Sequence, residues 1–395
     1  TVTNDLDLVP RPLDSAGLAP GPARPDIGAY EVNPAAGIFQ CGFSPVASNG
    51  IDSLTAVFTA CVAGDPAVTG AVWYGWDLGT NQTPQSGADK RVVTNTYGRG
   101  QYTVTLTVSN GLGVATNSTR VSCVKVVGVT SLVWTAGAHV YPFDSWANAA
   151  TNLQAAVDVA ETAFDAGATN AAVWVTNGTY SVTSRTAVCR GIRVQSVNGA
   201  DATTVRRASG SIRGFYINHA QAALDGFTVS GFAPVNDAGG QFDDTGPNGG
   251  AVLMPQGAVQ NCTLRGNSAA DGAGLYANAG TILSCLMESN SAGVAGAGVE
   301  GYTCSILYST FRYNSEPSWG GSGVLLRGAG LIRNCLFYGN VSSGGNAYGP
   351  VFLDGGTLES CTIVGNQKGG VYLRDGGAVR NCIIYGNSVT NFYDQ

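Results

Sequence analysis

A short segment that recurs along the C-terminal part of the chain restricts the possible folds more than any other feature. Its first copy runs from Asn261 to Asn267, and related copies end at five further asparagines. These terminal positions are spaced 21 to 26 residues apart and are Asn267, Asn290, Asn314, Asn340, Asn366 and Asn387. A short apolar run, mostly introduced by glycine, precedes each copy. Short strands and glycine turns at such a period predict a β-solenoid.

Stacking is what would stabilise such a chain. One coil cannot bury its own apolar side, whereas stacked coils bury a continuous column and pair their backbone groups with the coils above and below. Equivalent residues then lie over one another, so the asparagines should form a buried amide ladder and the Leu, Val, Ile and Phe positions aliphatic stacks. Leucine-rich repeats share the period, but their LxxLxL pattern is absent from the sequence.

Half of the ten cysteines occupy the second position of the repeat, namely Cys262, Cys285, Cys335, Cys361 and Cys382. Stacking in register would place them about 4.8 Å apart with parallel side chains. A disulfide needs Cβ atoms about 3.8 Å apart and turned toward each other. Free, buried thiols are therefore predicted, with Ser309 in this position in the copy that ends at Asn314. Cys41, Cys61 and Cys123 lie outside the repeat, and the sequence leaves open whether two of them form a disulfide.

Residues 32–128 show a different pattern. Leu54–Ala60 and Gln101–Val108 alternate polar and apolar side chains with the period of two that is typical of half-buried strands. Asn110-Gly111 follows the second run and is a strong hairpin-turn signal. Several such strands in one region predict a β-sandwich.

Within that region, Tyr74, Trp76, Asp77 and Gly79, followed by Tyr97 and the second alternating run, resemble the signature of the polycystic-kidney-disease (PKD) domain. The resemblance implies an immunoglobulin-like β-sandwich, which is common as a spacer in bacterial surface proteins and secreted hydrolases. It also implies that the tryptophan packs in the core and that the aspartate accepts amide hydrogens of its turn. Ligand binding by these two side chains is the alternative.

One helix is predicted before the repeats. Within residues 145–167, apolar side chains recur at helical spacing from Leu153, with Ser145 as the N-cap and Gly167 as the C′ residue. Such a helix can cover the first coil, whose open edge would otherwise aggregate. With this helix, the coil length and the asparagine turns, residues 140–395 resemble right-handed parallel β-helix proteins of the pectate-lyase type.

The chain thus divides into a segment at 1–31, an immunoglobulin-like β-sandwich at 32–128 and a parallel β-helix with a capping helix at 129–395, an all-β fold. The first segment, through Arg11–Asp14 and Pro25–Glu31, resembles the closing segment of β-helix domains in large bacterial surface proteins. That segment normally follows the last coil. We therefore predict either one period of a longer array or a subunit whose tail packs against a neighbour's β-helix end. An arbitrary chain boundary is the alternative.

Charge and composition exclude several partners. Charged residues make up 12% of the chain and the net charge is −6, so nucleic acid and anionic membranes are not expected as partners. No apolar run approaches the roughly 18 residues of a membrane span. Neither HExxH nor CxxC occurs. No metal or cofactor is predicted, and a structural calcium ion is an alternative without a supporting motif.

Residues suited to polysaccharide chemistry are few. β-Helix lyases combine calcium-binding carboxylates with a basic residue, and the hydrolases combine clustered aspartates with His and a basic partner. Asp243 and Asp244 adjoin in a Gly-rich insertion, where a solvated turn is more typical than a catalytic pair. His219 lies near no second catalytic residue. Arg327 and Arg374 follow equivalent strands and either contact an anionic glycan or belong to a surface of alternating charge.

These observations assign no catalytic residues. They predict a non-enzymatic extracellular structural or adhesive protein of a bacterial cell surface, which associates head-to-tail with copies of itself or forms one repeat of an array. The alternative is a polysaccharide lyase, a glycoside hydrolase or a glycan-binding module for acidic polysaccharide. That alternative depends on fold analogy, which is weak support for a function.

Overall fold

A computed structural model of the chain describes residues 39–63, 71–111, 114–234, 247–318, 320–344 and 348–394. The described residues fall into two compact units, which divide between Gly128 and Val129. The predicted closing segment at 1–31 and the Asp243-Asp244 pair lie outside the described residues.

The first unit is an immunoglobulin-like β-sandwich, as predicted. Its strands are β1 (Gln40–Ser44), β2 (Ser48–Ile51), β3 (Ser53–Ala63), β4 (Val72–Asp77), β5 (Gln85–Gly87), β6 (Val92–Gly98), β7 (Gly100–Asn110) and β8 (Ala115–Val127). They pair in the order β1-β3-β2-β8-β7-β4-β5, with β6 on β3. Strand β3 illustrates the alternation, because Ala56, Phe58 and Ala60 are buried while Val57 is half exposed.

Tyr74, Trp76, Asp77 and Gly79 of the PKD-like signature lie on β4 and the turn after it, while Tyr97 lies on β6. Trp76 is buried, with its ring centroid 5.4 Å from that of Phe43, and its Nε1 donates to the Lys90 carbonyl over 2.8 Å. Asp77 Oδ1 accepts from the Gly79 backbone N–H over 3.0 Å. Gly79 has a φ of +105°, which favours glycine because a Cβ there is strained. Trp76 therefore packs in the core of the sandwich, and Asp77 bonds to its own turn.

The second unit contains one helix among many short strands. Its elements are β9 (Thr130–Val133), α1 (Leu153–Asp165), β10 (Ala172–Val175), β11 (Gly178–Val182), β12 (Thr186–Val188), β13 (Arg193–Ser196), β14 (Thr203–Arg207), β15 (Phe215–Asp225), β16 (Thr228–Ser230), β17 (Val252–Gln260), β18 (Thr263–Arg265), β19 (Ser268–Asp271), β20 (Leu275–Ala277), β21 (Thr281–Leu283), β22 (Leu286–Glu288), β23 (Ser291–Ala295), β24 (Val299–Gly301), β25 (Ser305–Leu307), β26 (Thr310–Arg312), β27 (Ser315–Glu316), β28 (Val324–Arg327), β29 (Leu331–Arg333), β30 (Leu336–Tyr338), β31 (Val341–Ser342), β32 (Val351–Asp354), β33 (Thr357–Glu359), β34 (Thr362–Val364), β35 (Val371–Arg374), β36 (Ala378–Arg380), β37 (Ile383–Tyr385) and β38 (Phe392–Asp394).

Parallel pairing stacks these strands into three long sheets and a short one. The first sheet contains β12, the first parts of β15 and β17, then β20, β24, β28, β32, β35 and β38. The second contains β9, β10, β13, the last parts of β15 and β17, then β21, β25, β29, β33 and β36. The third contains β11, β14, β16, β18, β22, β26, β30, β34 and β37, and the fourth β19, β23, β27 and β31. This is the predicted parallel β-solenoid.

The solenoid core is a set of aligned apolar side chains. In the second sheet, Ile282, Ile306 and Ile332 are in register and fully buried. In the third sheet, the rings of Phe311 and Phe337 stack with centroids 4.6 Å apart. Each such side chain contributes about 1.5–3 kcal/mol on burial. The stacks explain why the repeat requires an apolar residue at these positions in every coil.

The predicted capping helix is present but begins later than expected. Helix α1 starts at Leu153, and Asn152 is its N-cap, with Oδ1 accepting from the Ala155 N–H over 2.9 Å. The prediction of Ser145 as N-cap was wrong, because the residues after it pair with other backbone: Ala150 N–H donates to the carbonyl of Leu132. Sequence periodicity cannot detect such pairing.

The C-terminal end of α1 and the packing of this helix agree with the prediction. Gly167 follows the helix with a φ of +100°, as a C′ residue does. The buried face of α1 packs on β9, β10 and β12, the first strands of the solenoid. Ser131 Oγ on β9 donates to the Ala156 carbonyl of the helix over 2.7 Å. The helix therefore covers the first coil.

Candidate functional site

The terminal asparagines of the repeat form a continuous amide ladder. Asn314 is representative: its Nδ2 donates to the Met287 carbonyl and to Asn340 Oδ1, each 2.9 Å away. Its Oδ1 accepts from the backbone N–H and the Nδ2 of Asn290, each 3.0 Å away. The same side-chain bonds join, in order, Asn267, Asn290, Asn314, Asn340, Asn366 and Asn387. The predicted asparagine ladder is confirmed.

A second column, the thiol ladder, consists of Cys262, Cys285, Ser309, Cys335, Cys361 and Cys382. The Cys335 N–H donates to Cys361 Sγ over 3.4 Å, and Cys285 N–H donates to Ser309 Oγ over 3.1 Å. Serine thus replaces a thiol without breaking the column. All ten cysteines are described, and each is a free thiol. Burial raises the pKa of Cys285 to about 12, so this thiol is neutral and a weak nucleophile.

Charged side chains form a row on the outer side of the first sheet, which we call the charge ladder: Glu300, Arg327, Asp354 and Arg374. Arg327 Nε donates to Glu300 Oε1 over 2.9 Å, and its Nη1 lies 3.5 Å from Asp354 Oδ2. Arg374 holds Asp354 with two bonds of 2.9 and 2.5 Å. The structure thus places Arg327 and Arg374 on one face, where acidic and basic side chains alternate from coil to coil.

One end of the charge ladder is a buried carboxyl pair. The Glu300 side chain is 2% exposed and lies beside Asp271, whose Oδ1 accepts from the Ala295 N–H over 3.1 Å. Burial and the neighbouring Asp271 carboxyl raise the pKa of Glu300 to about 7, against the opposing effect of Arg327. Burial also raises the pKa of Asp271. The two carboxyls therefore share a proton under mildly acidic conditions.

This pair predicts a pH-dependent stability of the β-helix. A carboxyl whose pKa is raised in the folded state stabilises the fold fully when the pH is below its ordinary pKa of 4.5. This stabilisation is lost as the pH rises through the folded-state pKa of about 7. Between pH 5 and pH 8 we expect the free energy of unfolding to fall by about 2 kcal/mol. Urea titrations followed by circular dichroism at both pH values measure this difference.

The substitution Glu300→Gln should remove most of this pH dependence, because a neutral amide replaces the titrating group. The remaining charged and titratable neighbours are Asp271, Arg327, Tyr276 and Tyr302. Glu359→Gln is the matched control, because that carboxylate forms an ion pair with Arg333 but is more exposed. A stability that depends equally on pH in both variants would contradict the assignment to Glu300.

His219, which was considered above as a candidate catalytic residue, contacts Phe164 and Gln221. Its ring packs edge-on against Phe164 with centroids 5.3 Å apart, and its Nδ1 accepts from the Gln221 N–H over 3.2 Å. Among the described residues, no group of three His, Cys, Asp or Glu side chains could hold a metal ion. Within the described residues, no helix is long and apolar enough to cross a membrane.

Sequence reasoning missed the buried carboxyl pair and the role of Asp354. A signal was available for Glu300, which is in register with Tyr276 on one side and Leu325 on the other. A glutamate in a strand position that other coils fill with aromatic or apolar residues is a marked exception. Asp271 gave no comparable signal, because it lies at the end of a strand that no repeat pattern predicted.

Comparison with known families agrees with this geometry. Residues 45–123 match the PKD domain, and residues 248–393 match the family described as right handed beta helix region. The chain carries a PKD domain and a right-handed β-helix. The β-helix match contains all six ladder asparagines, and the coils at 129–234 precede it and stack in the same sheets.

No curated protein matches the chain in sequence. Among solved structures, the chain is similar to a pectin methylesterase from Aspergillus niger, with 12% identity, a TM-score of 0.33, and coverage of 66% of this chain and 85% of that one. It is also similar to ORF18 of Geobacillus virus E2, with 13% identity, a TM-score of 0.26, and coverage of 58% and 55%. These scores are too low to support any functional argument.

Proposed function

We propose that this protein is a non-enzymatic structural and adhesive component of a bacterial cell surface, whose copies associate head-to-tail through the β-helix. A PKD domain joined to a β-helix is the composition of an extracellular surface module. The adhesive role, the bacterial surface and the self-association are parts of the proposal.

The main support for the proposal is that the polar side chains of the β-helix bond to neighbouring coils. In the β-helix, amides, thiols and ion pairs bond mainly to the coils above and below. A catalytic carboxylate must reach its substrate, whereas the Glu300 side chain is 2% exposed and bonded to Arg327. Bonds of this kind stiffen a column of coils, which suits a load-bearing or spacing role.

The last described coil supplies a surface for association. Ile383 is 64% exposed and Tyr385 is 72% exposed, and strands β36, β37 and β38 pair with only the preceding coil among the described residues. Exposed apolar side chains on such strands favour contact with another chain. We propose that the closing-type segment at 1–31 of a second copy packs against this coil.

Electron microscopy of the purified chain, with its mass measured after denaturation, tests the proposal. We expect filaments with a regular axial repeat. After denaturation, their chains should have a mass near the 40.3 kDa calculated from the sequence. Both deletion of residues 1–31 and Ile383→Lys should abolish the filaments. Val121→Lys is the matched control, because Val121 is 77% exposed on the PKD domain. Dispersed monomers of the unaltered chain would contradict the head-to-tail association.

One observation favours the alternative of an enzyme for acidic polysaccharide. The pKa of Glu300, raised to about 7, matches the acid–base chemistry that glycan-cleaving enzymes use, although the burial of this side chain argues against contact with a substrate. An assay for depolymerisation of polygalacturonate decides between the two. Activity that disappears in Glu300→Gln would replace the structural proposal by the enzymatic one.

A further inference from the structure

A shallow, open pocket of about 470 Å³ lies at one edge of the first coils of the β-helix, far in sequence from the repeats. We call it the aromatic pocket, and its lining residues are Trp134, Trp146, Thr176, Asn177, Val197 and Asn198. Trp134 and Trp146 are 37% and 40% exposed. Indoles left open to water in a concave site are typical of ligand pockets rather than of a protein core.

The frame of the aromatic pocket is fixed by backbone pairing. Strand β9 ends directly before Trp134, and β10 ends directly before Thr176, with the two strands paired in register. The Trp134 N–H donates to the Ala150 carbonyl over 2.9 Å, and the Thr176 N–H donates to Val133 over 3.0 Å. The hydroxyl of the buried Tyr180 lies 3.1 Å from the Thr176 carbonyl and 3.3 Å from the Val133 carbonyl, so it can donate its hydrogen to either. The site is therefore formed in advance of any ligand.

The polar groups of the aromatic pocket are an uncharged donor–acceptor pair. Asn198 Nδ2 donates to Asn177 Oδ1 over 2.8 Å. This bond leaves hydrogens on Asn177 Nδ2 to donate and the Asn198 Oδ1 to accept, on adjacent coils. Vicinal hydroxyls of a sugar both donate and accept, so they complement such a pair. The apolar C–H face of a sugar ring complements the electron-rich face of an indole.

We propose that the aromatic pocket binds a neutral sugar unit of a polysaccharide. The lining residues carry no charge, which disfavours acidic sugars and nucleotides because their charges would lose hydration without a partner. The site is separate from the charge ladder and does not require self-association. Filament formation and sugar binding are read out separately, so either proposal can fail without the other.

Affinity electrophoresis through gels that contain soluble neutral polysaccharides tests the proposal. The probes are a β-glucan, a galactomannan and a xylan, with polygalacturonate as the acidic comparison. We expect at least one neutral polysaccharide to retard the chain, and Trp134→Ala or Trp146→Ala to weaken that binding by about tenfold or more. Trp134→Phe should retain part of the binding, because it keeps an aromatic face.

Trp73→Ala is the matched control, because Trp73 is 53% exposed on the PKD domain and does not line the pocket. Circular dichroism confirms that each variant is folded before binding is compared. A chain that no neutral probe retards, or that only polygalacturonate retards, overturns the proposal. An equal loss of polysaccharide binding in Trp73→Ala also overturns the proposal. Binding of a decaproline peptide in place of every polysaccharide would reassign the pocket to peptide recognition.

Discussion

Replacing Asn314 by alanine should cost the β-helix about 4 kcal/mol of unfolding free energy. The side chain is fully buried, and its removal takes partners from the backbone N–H and the Nδ2 of Asn290 and from the Met287 carbonyl. Each buried polar group without a partner costs about 1–3 kcal/mol. Urea unfolding, combined with amide hydrogen exchange across the affected coils, measures both the loss and its location.

Asn387→Ala is the matched control for this prediction. It removes the same type of side chain from the same ladder, where Asn366 donates to Asn387 Oδ1 over 2.9 Å. Asn387 is only partly buried, at the last described coil, so water can replace its bonds. We expect a cost of about 1 kcal/mol. Equal costs for the two variants would show that the ladder contributes little through burial.

Gly298→Ala should also destabilise the β-helix strongly, with an expected loss of about 3 kcal/mol of unfolding free energy. A Cβ at this position would lie 2.4 Å from the carbonyl oxygen of Gly323 in the next coil and 2.9 Å from the Phe311 ring. Backbone of the next coil cannot withdraw without breaking the bond that Val299 N–H makes to the same carbonyl over 2.9 Å. The glycine allows two coils to approach at van der Waals distance.

Gly266→Ala separates this steric effect from backbone strain. Gly266 has a φ of +62°, and an added Cβ there would meet nothing within 4 Å. Alanine should therefore cost only the left-handed conformation, about 1 kcal/mol. Thermal unfolding followed by circular dichroism ranks the two variants. A larger loss for Gly266→Ala than for Gly298→Ala would contradict the close-packing argument.

The parts of the fold that follow from stacking could be predicted from the sequence. A repeat places identical residues over one another, so Asn267 and its equivalents had to bond to their neighbours once the period was recognised. The alternation in β3 and β7 predicted the sandwich for a similar reason, since one side of each strand must be buried. Both inferences depend on local periodicity alone.

Features that depend on contacts between distant segments could not be predicted. The N-cap of the helix is Asn152 instead of the predicted Ser145, because the residues between them pair with other backbone. The raised pKa of Glu300 arises from burial and from Asp271, which lies in a different coil. The aromatic pocket joins Trp134 and Asn198 from separate coils without any repeated motif. No sequence period relates these residues to one another.

The thiol ladder has a consequence for how such a protein matures. In an oxidising environment, exposed cysteines pair and mispair, and many secreted proteins depend on enzymes that correct those errors. Here, Cys262 and Cys285 are fully buried, and burial raises their pKa values, so few thiolates exist to react. Closing the stack of coils thus protects these sulfurs. The described part of the β-helix contains no disulfide, so we expect its free energy of unfolding to be unchanged by reductants.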